Sequence, residues 1–268
     1  MTKVLRNTPI TPISTQKLGN YSIYKRKGSE GPVIRSKGGA TKEKIRAAPE
    51  FAGLRMHQQE FAGCSRMASK ILRAIDGIKY LADYNLLSGL LSIANTIQNF
   101  DTLNPKGKRS IYLSQYSNIL KGFNINQQHP FDLVMKHAPE ATFSRTQLKA
   151  TLYFPELYPN INFANPWQKS FFRVIATLGI VPDMISSELG YAQADESETY
   201  NPVEYISDWL PTEIVIRERV EEIQLGSDTI MNPFSTMVVG IGVEYGTMVK
   251  GVETAVKYSG SGKILAVG

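Results

Sequence analysis

The sequence predicts an α+β protein in three parts: an extended basic N-terminal arm and hairpin at 1–45, a helical segment at 46–125, and a C-terminal antiparallel β-sandwich at 126–268. Two patterns support this prediction. Apolar residues recur at helical spacing in the middle of the chain, whereas after about residue 122 they alternate with polar residues, as in strands. Several short strands separated by Pro and Gly turns are typical of a sandwich.

The charge of the chain is unevenly distributed. Residues 1–70 hold fourteen Lys and Arg against four Glu, a net of +10, so the remainder carries −4 of the total +6. A basic arm of this kind contacts either a polyanion or the acidic body of a neighbouring copy, or it stays solvated.

Within the arm, alternating residues on both sides of a polar turn at 27–31 predict a hairpin. A lone two-stranded hairpin is only marginally stable in water, so it must lie on its own body or on a partner. The residues that we assign to this assembly arm are Tyr21, Ile23, Tyr24, Lys25, Arg26, Lys27, Val33, Ile34 and Arg35.

Two helices follow the arm. Pro49 suits a first helical position, and Phe51, Leu54 and Phe61 follow at helical spacing. Gly63 is the point at which this first helix could break. The second helix is expected at about 85–100, with a broad apolar stripe that belongs to a core rather than to a cofactor site. That stripe includes Leu90, Ile93 and Ile97.

Alternation then predicts strands at 147–154 and 172–180, and a further strand that begins at Ile214 and Ile216. In that further strand the apolar phase slips near Glu221 and Glu222, which predicts a bulge or turn. A last strand is expected at 264–267.

The strand at 237–246 has two contrasting faces. One face is apolar throughout, whereas the other carries Gly240, Gly242 and Gly246 between Val238 and Glu244. A row of glycines lets a bulky group or another backbone come close. We therefore predict a close-packing face at Gly240, Gly242 and Gly246, and no dinucleotide site, because the glycine spacing is wrong for one.

Near the chain end, Gly260, Ser261, Gly262 and Lys263 resemble the end of a phosphate-binding loop. The pattern lacks the earlier Gly and the Ser or Thr that should follow the Lys. No helix follows to supply its N-terminal amide groups. A hairpin turn is the expected structure of this segment.

The reactive residue types are scattered. His57 has Glu60 one helical turn further on, a spacing typical of a solvated pair, whereas His129 and His137 lie near turns. Cys64 has no His base nearby in sequence and is expected to be a small buried thiol. The sequence thus predicts no enzyme, no catalytic residues, no cofactor and no metal.

The location follows from what the sequence lacks. A single cysteine cannot form an internal disulfide, and there is no signal-peptide core. No stretch approaches the roughly 18 apolar residues of a membrane span. We expect a soluble cytoplasmic protein without a membrane span; export by a route without a signal remains open.

A family resemblance rests on 20–75. The basic hairpin and Lys37-Gly38-Gly39 are followed by Phe51-Ala52-Gly53-Leu54-Arg55 and Glu60-Phe61-Ala62-Gly63. This order resembles an uncharacterised family of Bacteroidota proteins, in which an extended arm with a Lys-Gly-Gly element precedes a helix with an Arg and a Glu-Phe-Gly triplet. This chain departs from that pattern at Ala62. The resemblance implies an architecture and no mechanism.

The function expected from these patterns is a structural protein that self-assembles into a filament, tube or shell. Its N-terminal arm would reach a neighbouring copy and add a strand to it, giving a homo-oligomer or polymer. Two alternatives remain open. One is a nucleic-acid-associated protein that uses the basic arm. The other is a ligand- or carbohydrate-binding β-sandwich module that uses Trp167 or Trp209.

Overall fold

The computed structural model describes residues 17–18, 21–25, 31–36, 38–194, 201–226 and 231–268. The chain divides into two compact units, Met1–Arg55 and Met56–Gly268. Two residues of the predicted assembly arm, Arg26 and Lys27, lie outside the described residues. The α+β class is confirmed, because helices and antiparallel sheets build the described chain.

The first unit contains an antiparallel sheet with the strand order β1-β2-β3. Its strands are β1 (Lys17–Leu18), β2 (Tyr21–Lys25) and β3 (Pro32–Ser36). Ile23 pairs with Ile34, so these two residues share one face of the hairpin with Tyr21. Tyr21 and Ile34 are exposed. The hairpin therefore presents large apolar side chains on one face, and its contact with another copy stays a prediction.

Hydrogen bonds fix the helical part of the first unit. Its elements are α1 (Lys42–Ala47), a 3₁₀ turn (Pro49–Phe51) and the start of α2 (Ala52–Ala74). The Thr41 hydroxyl caps α1 by accepting a hydrogen bond from the Lys44 amide at 3.2 Å. Arg55 Nη1 donates to the carbonyl oxygens of Ile45 and Ala48, at 2.8 and 2.9 Å. Arg55 thereby fastens α2 to the end of α1.

In the second unit the helices follow the periodicity of the sequence. They are the remainder of α2, α3 (Leu86–Asn99), α4 (Leu113–Tyr116) and α5 (Phe131–Val134), with 3₁₀ turns at Asp76–Leu81 and Ser117–Ile119. The prediction of α3 is confirmed, and Asn85 caps it through the Leu87 amide. The first helix continues through Gly63 without a break. The Tyr191 ring lies where a side chain would begin, 2.5 Å from an added Cβ, so only Gly fits there.

The main sheet of the second unit is antiparallel and has the order β10-β6-β12-β13, with β9 also paired to β6. A smaller sheet has the order β11-β5-β4, and β7 pairs with β8. The strands are β4 (Glu140–Ser144), β5 (Lys149–Phe154), β6 (Phe171–Pro182), β7 (Met184–Ser187), β8 (Gly190–Gln193), β9 (Val203–Ile206), β10 (Leu210–Pro211), β11 (Arg219–Gln224), β12 (Ser235–Val249) and β13 (Val252–Val267).

Each face of the main sheet contributes to a separate apolar core. Val174 and Leu178 of β6 pack in one core with Leu152 from the smaller sheet. Ile175 points to the opposite face and packs in a second core with Leu90 of α3. Because successive strand residues alternate between faces, one strand serves both cores. The helical segment and the sheet therefore share a hydrophobic core.

The predicted hairpin turn at Gly260-Ser261-Gly262-Lys263 is wrong. These residues are buried within β13, which begins at Val252 and also contains the predicted last strand. The small residues are needed because other chain segments cross the strand. Ile125 donates its amide hydrogen to the Gly262 carbonyl at 2.8 Å, and a side chain on Gly260 would meet Leu81. Lys263 forms an ion pair with Asp132.

The strand expected to begin at Ile214 is also wrong, and so is its bulge. Ile216 forms an isolated bridge with Leu157, and the strand itself starts at Arg219. Pairing with β5 continues without a shift through Glu221 and Glu222. The change of apolar phase reflects the irregular chain before the strand rather than an insertion within it.

Strands β12 and β13 continue beyond the main sheet. Strand β12 pairs with β13 from Val238 onward, and this pairing continues to Val249 and Val252 after the pairing of β12 with β6 ends at Gly246. Lys250 and Gly251 connect them with φ angles of 52° and 82°, as a type I′ turn requires. We call residues 247–258 the ribbon tip. Its apolar side chains Met248, Val249 and Val252 are 47%, 47% and 62% exposed.

Candidate binding site

The glycine row of β12 lies directly beneath the 3₁₀ turn Asp76–Leu81. A Cβ on Gly240 would lie 2.6 Å from Ile78 Cδ1, and one on Gly242 would lie 2.5 Å from Leu81 Cδ1. Carbon atoms do not approach so closely, so glycine is what allows the turn to pack on the sheet. Because this turn ends at Leu81, the next positions of the same sheet face are open to other contacts.

Trp209 covers the next glycine of the row. A Cβ on Gly246 would lie 2.7 Å from the far edge of the Trp209 ring. On β6, the Arg173 guanidinium stacks over the same ring, 4.6 Å from its centroid. An Arg held over an indole ring is stabilised by cation–π attraction. Gly246 thus leaves room for the Trp209 ring, and this ring in turn orients the Arg173 guanidinium.

Glu244 lies between Gly242 and Gly246 and pairs directly with Arg173 across the two strands. Its carboxylate Oε2 accepts a hydrogen bond from Arg173 Nε at 2.7 Å, and Arg173 Nη2 lies 2.6 Å from the same oxygen. Glu244 is only 6% exposed. Both of these contacts with Arg173 are to Oε2. Glutamate is rarely buried unless it is paired, as it is here with Arg173.

Tyr80 stands beside this pair. Burial of its ring, followed by the nearby Glu244 charge and its hydrogen bond, raises the pKa of the Tyr80 phenol well above its usual value. The phenol therefore keeps its proton at neutral pH and acts as a hydrogen-bond donor. About half of the Tyr80 surface remains exposed.

Strand β13, which pairs with β12 on the side away from β6, contains a large bulge next to Glu244. Glu244 pairs with Gly260, but Gly246 pairs with Ala255, so four residues of β13 stand opposite Tyr245 alone. Within this bulge Tyr258 has a φ of 62° and is 87% exposed. A bulky side chain in the left-handed region is strained, and strained residues of this kind concentrate at functional sites.

These parts enclose a space of about 290 Å³, which we call the cleft. Its lining is formed by Tyr80 and Leu81, by Glu244, and by the bulge from Ala255 to Gly260. The arrangement combines a buried acceptor, a donor phenol and exposed aromatic surface. Small-molecule sites in proteins have this combination of concave apolar walls and a few fixed polar groups.

In a second Glu–Arg pair, which we call the closed pair, both carboxylate oxygens have hydrogen-bond partners. Arg109 donates through Nε and Nη2 to both oxygens of Glu60, each at 2.7 Å, and the Gly107 amide adds a bond of 2.8 Å. The Arg109 hydrogen bonds, opposed by burial, lower the pKa of Glu60. The expected solvated pair of His57 and Glu60 is therefore wrong: His57 is exposed, and Glu60 turns inward because Arg109 and Gly107 supply its partners.

Cys64 lies next to this closed pair. It is 3% exposed, and its Sγ donates to Gln98 Oε1 at 3.3 Å. Burial, with the Glu60 charge as a smaller cause, raises the pKa of the Cys64 thiol to about 11. A protonated, buried thiol is a poor nucleophile at neutral pH.

The other predicted positions serve packing. The Trp167 ring packs against Tyr245 and His129, with centroids 4.9 and 4.6 Å apart. Among the residues that the structure describes, no group of three His, Cys, Asp or Glu could hold a metal ion. In the same part of the chain, no helix is long and apolar enough to cross a membrane.

Sequence reasoning identified the glycine row but not the cleft. The local signals were Glu244 and Arg173, charged residues set in otherwise apolar strands. Tyr80 and Tyr258 have no such signal, because their position beside this pair depends on tertiary packing and on the bulge in β13. The described residues of the assembly arm lie in the first unit.

No protein-family model, curated protein or solved structure matches this chain. The resemblance of residues 20–75 to a Bacteroidota family therefore stays a prediction. Three of its motif residues do have clear structural contacts. Arg55 binds two backbone carbonyls, Glu60 forms the closed pair, and Gly63 lies against the Tyr191 ring.

Proposed function

We propose that this protein is a structural subunit that assembles with copies of itself into a filament, tube or shell. The ribbon tip is the observation that supports this proposal best. It is a two-stranded ribbon that exposes Met248, Val249 and Val252 beyond the edge of the main sheet. Isolated ribbons are marginally stable in water, and neighbouring exposed apolar side chains mark interaction surfaces. A second copy of the chain is the partner that we assign to it.

The N-terminal hairpin supports the same proposal. It presents exposed Tyr21 and Ile34 on one face, in a region of net charge +10 over residues 1–70. The remaining residues carry a net charge of −4, so an arm and the body of another copy attract each other. Strand addition by the arm would supply main-chain hydrogen bonds at the contact. We further propose that the two sheets of the second unit form the receiving β-sandwich, and that assembly occurs in the cytoplasm.

The test is the size of particles formed by purified protein, measured by light scattering after gel filtration and by negative-stain microscopy. The double variant Val249→Thr/Val252→Thr keeps β-branched side chains but removes apolar surface from the ribbon tip. We expect smaller particles from it. Val220→Thr is the matched control, because Val220 is similarly exposed, at 56%, on β11 of the smaller sheet. Particles of unchanged size from the double variant would contradict the role of the ribbon tip.

Removal of residues 1–45 tests the arm separately. We expect the remaining chain to stay folded and to become monomeric. If the shortened chain forms the same large particles, or if the full chain is monomeric at high concentration, self-assembly through the arm is wrong.

Nucleic-acid binding is the second candidate function, and a stripe on α2 favours it. Arg66, Lys70 and Arg73 follow one another at helical spacing, and Arg66 and Lys70 border a depression of about 520 Å³. A cationic stripe of this kind suits a phosphate backbone. If this function is correct, purified protein will carry material absorbing at 260 nm, which Arg66→Ser/Lys70→Ser should reduce. Protein free of nucleic acid at low salt would exclude it.

A further inference from the structure

The cleft at the base of the ribbon tip has features that folding alone does not explain. Glu244 and Arg173 are charged groups placed in a strand interior, where apolar residues would be at least as stable. Tyr258 keeps a left-handed backbone conformation while 87% of its surface is exposed, so packing of its ring does little to offset the backbone strain. Both features lie on the same space of about 290 Å³.

We propose that this cleft binds a neutral saccharide, holding one sugar ring between Tyr80 and Tyr258 with its hydroxyl groups on Glu244. The inference does not rest on self-assembly. It requires only residues of the second unit, all of which come from one copy of the chain.

The polar chemistry of the cleft suits adjacent hydroxyl groups. A sugar hydroxyl both donates and accepts a hydrogen bond, so a neighbouring pair of hydroxyls matches an acceptor beside a donor. Glu244 supplies the acceptor through its carboxylate, which lines the cleft and contacts Arg173 through Oε2. The Tyr80 phenol, which stays protonated and interacts with Glu244, places a donor beside this acceptor. Arg173 holds the carboxylate in place and is a positioning residue.

The walls of the cleft suit the apolar face of a sugar ring. Tyrosine offers a large rigid surface with a polar end, which is why it is common where a ligand is part apolar and part wet. Tyr80 is 52% exposed and Tyr258 is 87% exposed, so both rings retain surface for a ligand. A space of about 290 Å³ is at the lower end of small-molecule sites, roughly 300–1,000 Å³, and suits one or two rings.

The charge of the cleft favours a neutral ligand. Arg173 neutralises Glu244, and of the described residues that line the cleft, Lys257 alone adds a further charge. An anion would lie against the Glu244 carboxylate, and a cation would lie near the Arg173 guanidinium. A neutral polyhydroxyl compound has neither conflict.

Saturation-transfer NMR of the full chain tests the proposal. The probes are the methyl glycosides of glucose, galactose, mannose and N-acetylglucosamine, with cellobiose and maltose. We expect at least one probe to bind with a dissociation constant on the order of 1 mM or tighter. Calorimetry then gives the affinity of the best probe. If none of these sugars shows transfer, the proposal is wrong.

Variants at Tyr258 locate the binding. Tyr258→Gly and Tyr258→Asn remove the ring and accept the left-handed backbone more easily, so both should fold. Each should weaken binding about tenfold, because a stacked aromatic ring contributes about that factor. Lys250→Gly is the matched control: Lys250 has a φ of 52° at the turn, outside the cleft lining. It should bind as the unchanged chain does.

Glu244→Gln tests the polar contact with nearly the same shape, and we expect it to weaken binding severalfold. Unchanged affinity in both Tyr258 variants, or equal loss in Lys250→Gly, would overturn the proposal. Particle size is measured on the same samples. A sugar that binds a monomeric chain would support the cleft while contradicting self-assembly, so the two proposals fail separately.

Discussion

Two halves of the same pair of strands have opposite surroundings. In the first half, residues 235–244 of β12 are buried, with one apolar core on each face of the sheet. In the second half, the ribbon tip of residues 247–258 is largely exposed, and its exposed side chains include Met248, Val249, Val252 and Tyr258. Both halves belong to the same two paired strands, β12 and β13, and they differ in what packs against them.

The position of glycine shows what this difference means. In the buried half, Gly240 and Gly242 lie where side chains of the 3₁₀ turn leave no room for a Cβ. In the exposed half, Lys250 and Tyr258 adopt positive φ angles, for which glycine would be the easier residue. The buried half therefore uses glycine for packing. The exposed half keeps larger side chains at Lys250 and Tyr258 despite the strained backbone.

The largest expected effect lies in the helical layer over the buried half. Leu90 is fully buried in the core that α3 shares with the main sheet. Leu90→Ala should lower the free energy of unfolding by about 2 to 5 kcal/mol through lost burial and a cavity. Leu103→Ala is the matched control, because Leu103 is 94% exposed. A change near zero for Leu90→Ala in a denaturant melt would mean that this layer does not stabilise the sheet.

A buried glutamate, Glu60, gives the next largest expected effect. Glu60 belongs to the closed pair, and its charge-assisted hydrogen bonds should contribute about 1.5 to 3 kcal/mol. Glu60→Gln should lose this at pH 7. Because the folded chain lowers the pKa of Glu60 below its ordinary 4.5, this contribution is present above pH 4.5 and is lost as the pH falls through the folded value. The difference between the two proteins should therefore shrink in acid.

Denaturant melts of both proteins at several pH values measure this. Glu253→Gln on the ribbon tip is the control and should stay within about 0.5 kcal/mol of the unchanged chain at every pH. A difference between Glu60→Gln and the unchanged chain that grows in acid would contradict the assigned direction of the pKa shift.

Substitution with valine compares the halves directly. Gly242→Val places side-chain atoms where Leu81 Cδ1 already lies, so we expect a loss of about 1 to 3 kcal/mol by overpacking. Thr247→Val, of nearly the same size, lies in the exposed half and should change stability by less than about 0.5 kcal/mol. Thermal melts of both variants measure this. Equal effects would show that the two halves do not differ in packing.

The sequence predicted those parts of the fold that have a local period. Helix α3 was expected at about 85–100 and spans Leu86–Asn99, because a broad apolar stripe and the Asn85 cap agree. Strands β5 and β6 follow from alternation in the same way. Local patterns determine such elements when one face meets a core.

The later strand and the cleft depend on contacts that no local pattern records. Gly260 and Lys263 resemble a turn by composition, yet they are buried in β13 because Leu81 and the chain near Ile125 lie on them. The cleft joins Tyr80, Glu244 and Tyr258, which are far apart in sequence. Tertiary packing and the bulge in β13 bring them together, so propensity alone could not predict the site.

The smallest expected effect has the opposite sign and lies at Tyr258. A non-glycine residue in the left-handed region costs roughly 1 to 2 kcal/mol, whereas glycine adds roughly 0.5 to 1 kcal/mol of entropy to the unfolded chain. Because the Tyr258 ring is 87% exposed, its removal loses little packing. Tyr258→Gly should therefore raise the free energy of unfolding by about 0.5 to 1 kcal/mol, as measured by denaturant melts, and Lys250→Gly should do the same. A loss of stability in Tyr258→Gly would mean that the Tyr258 ring supports the fold of the bulge. Residue 258 would then belong with the packed half of the strand pair rather than with the exposed half.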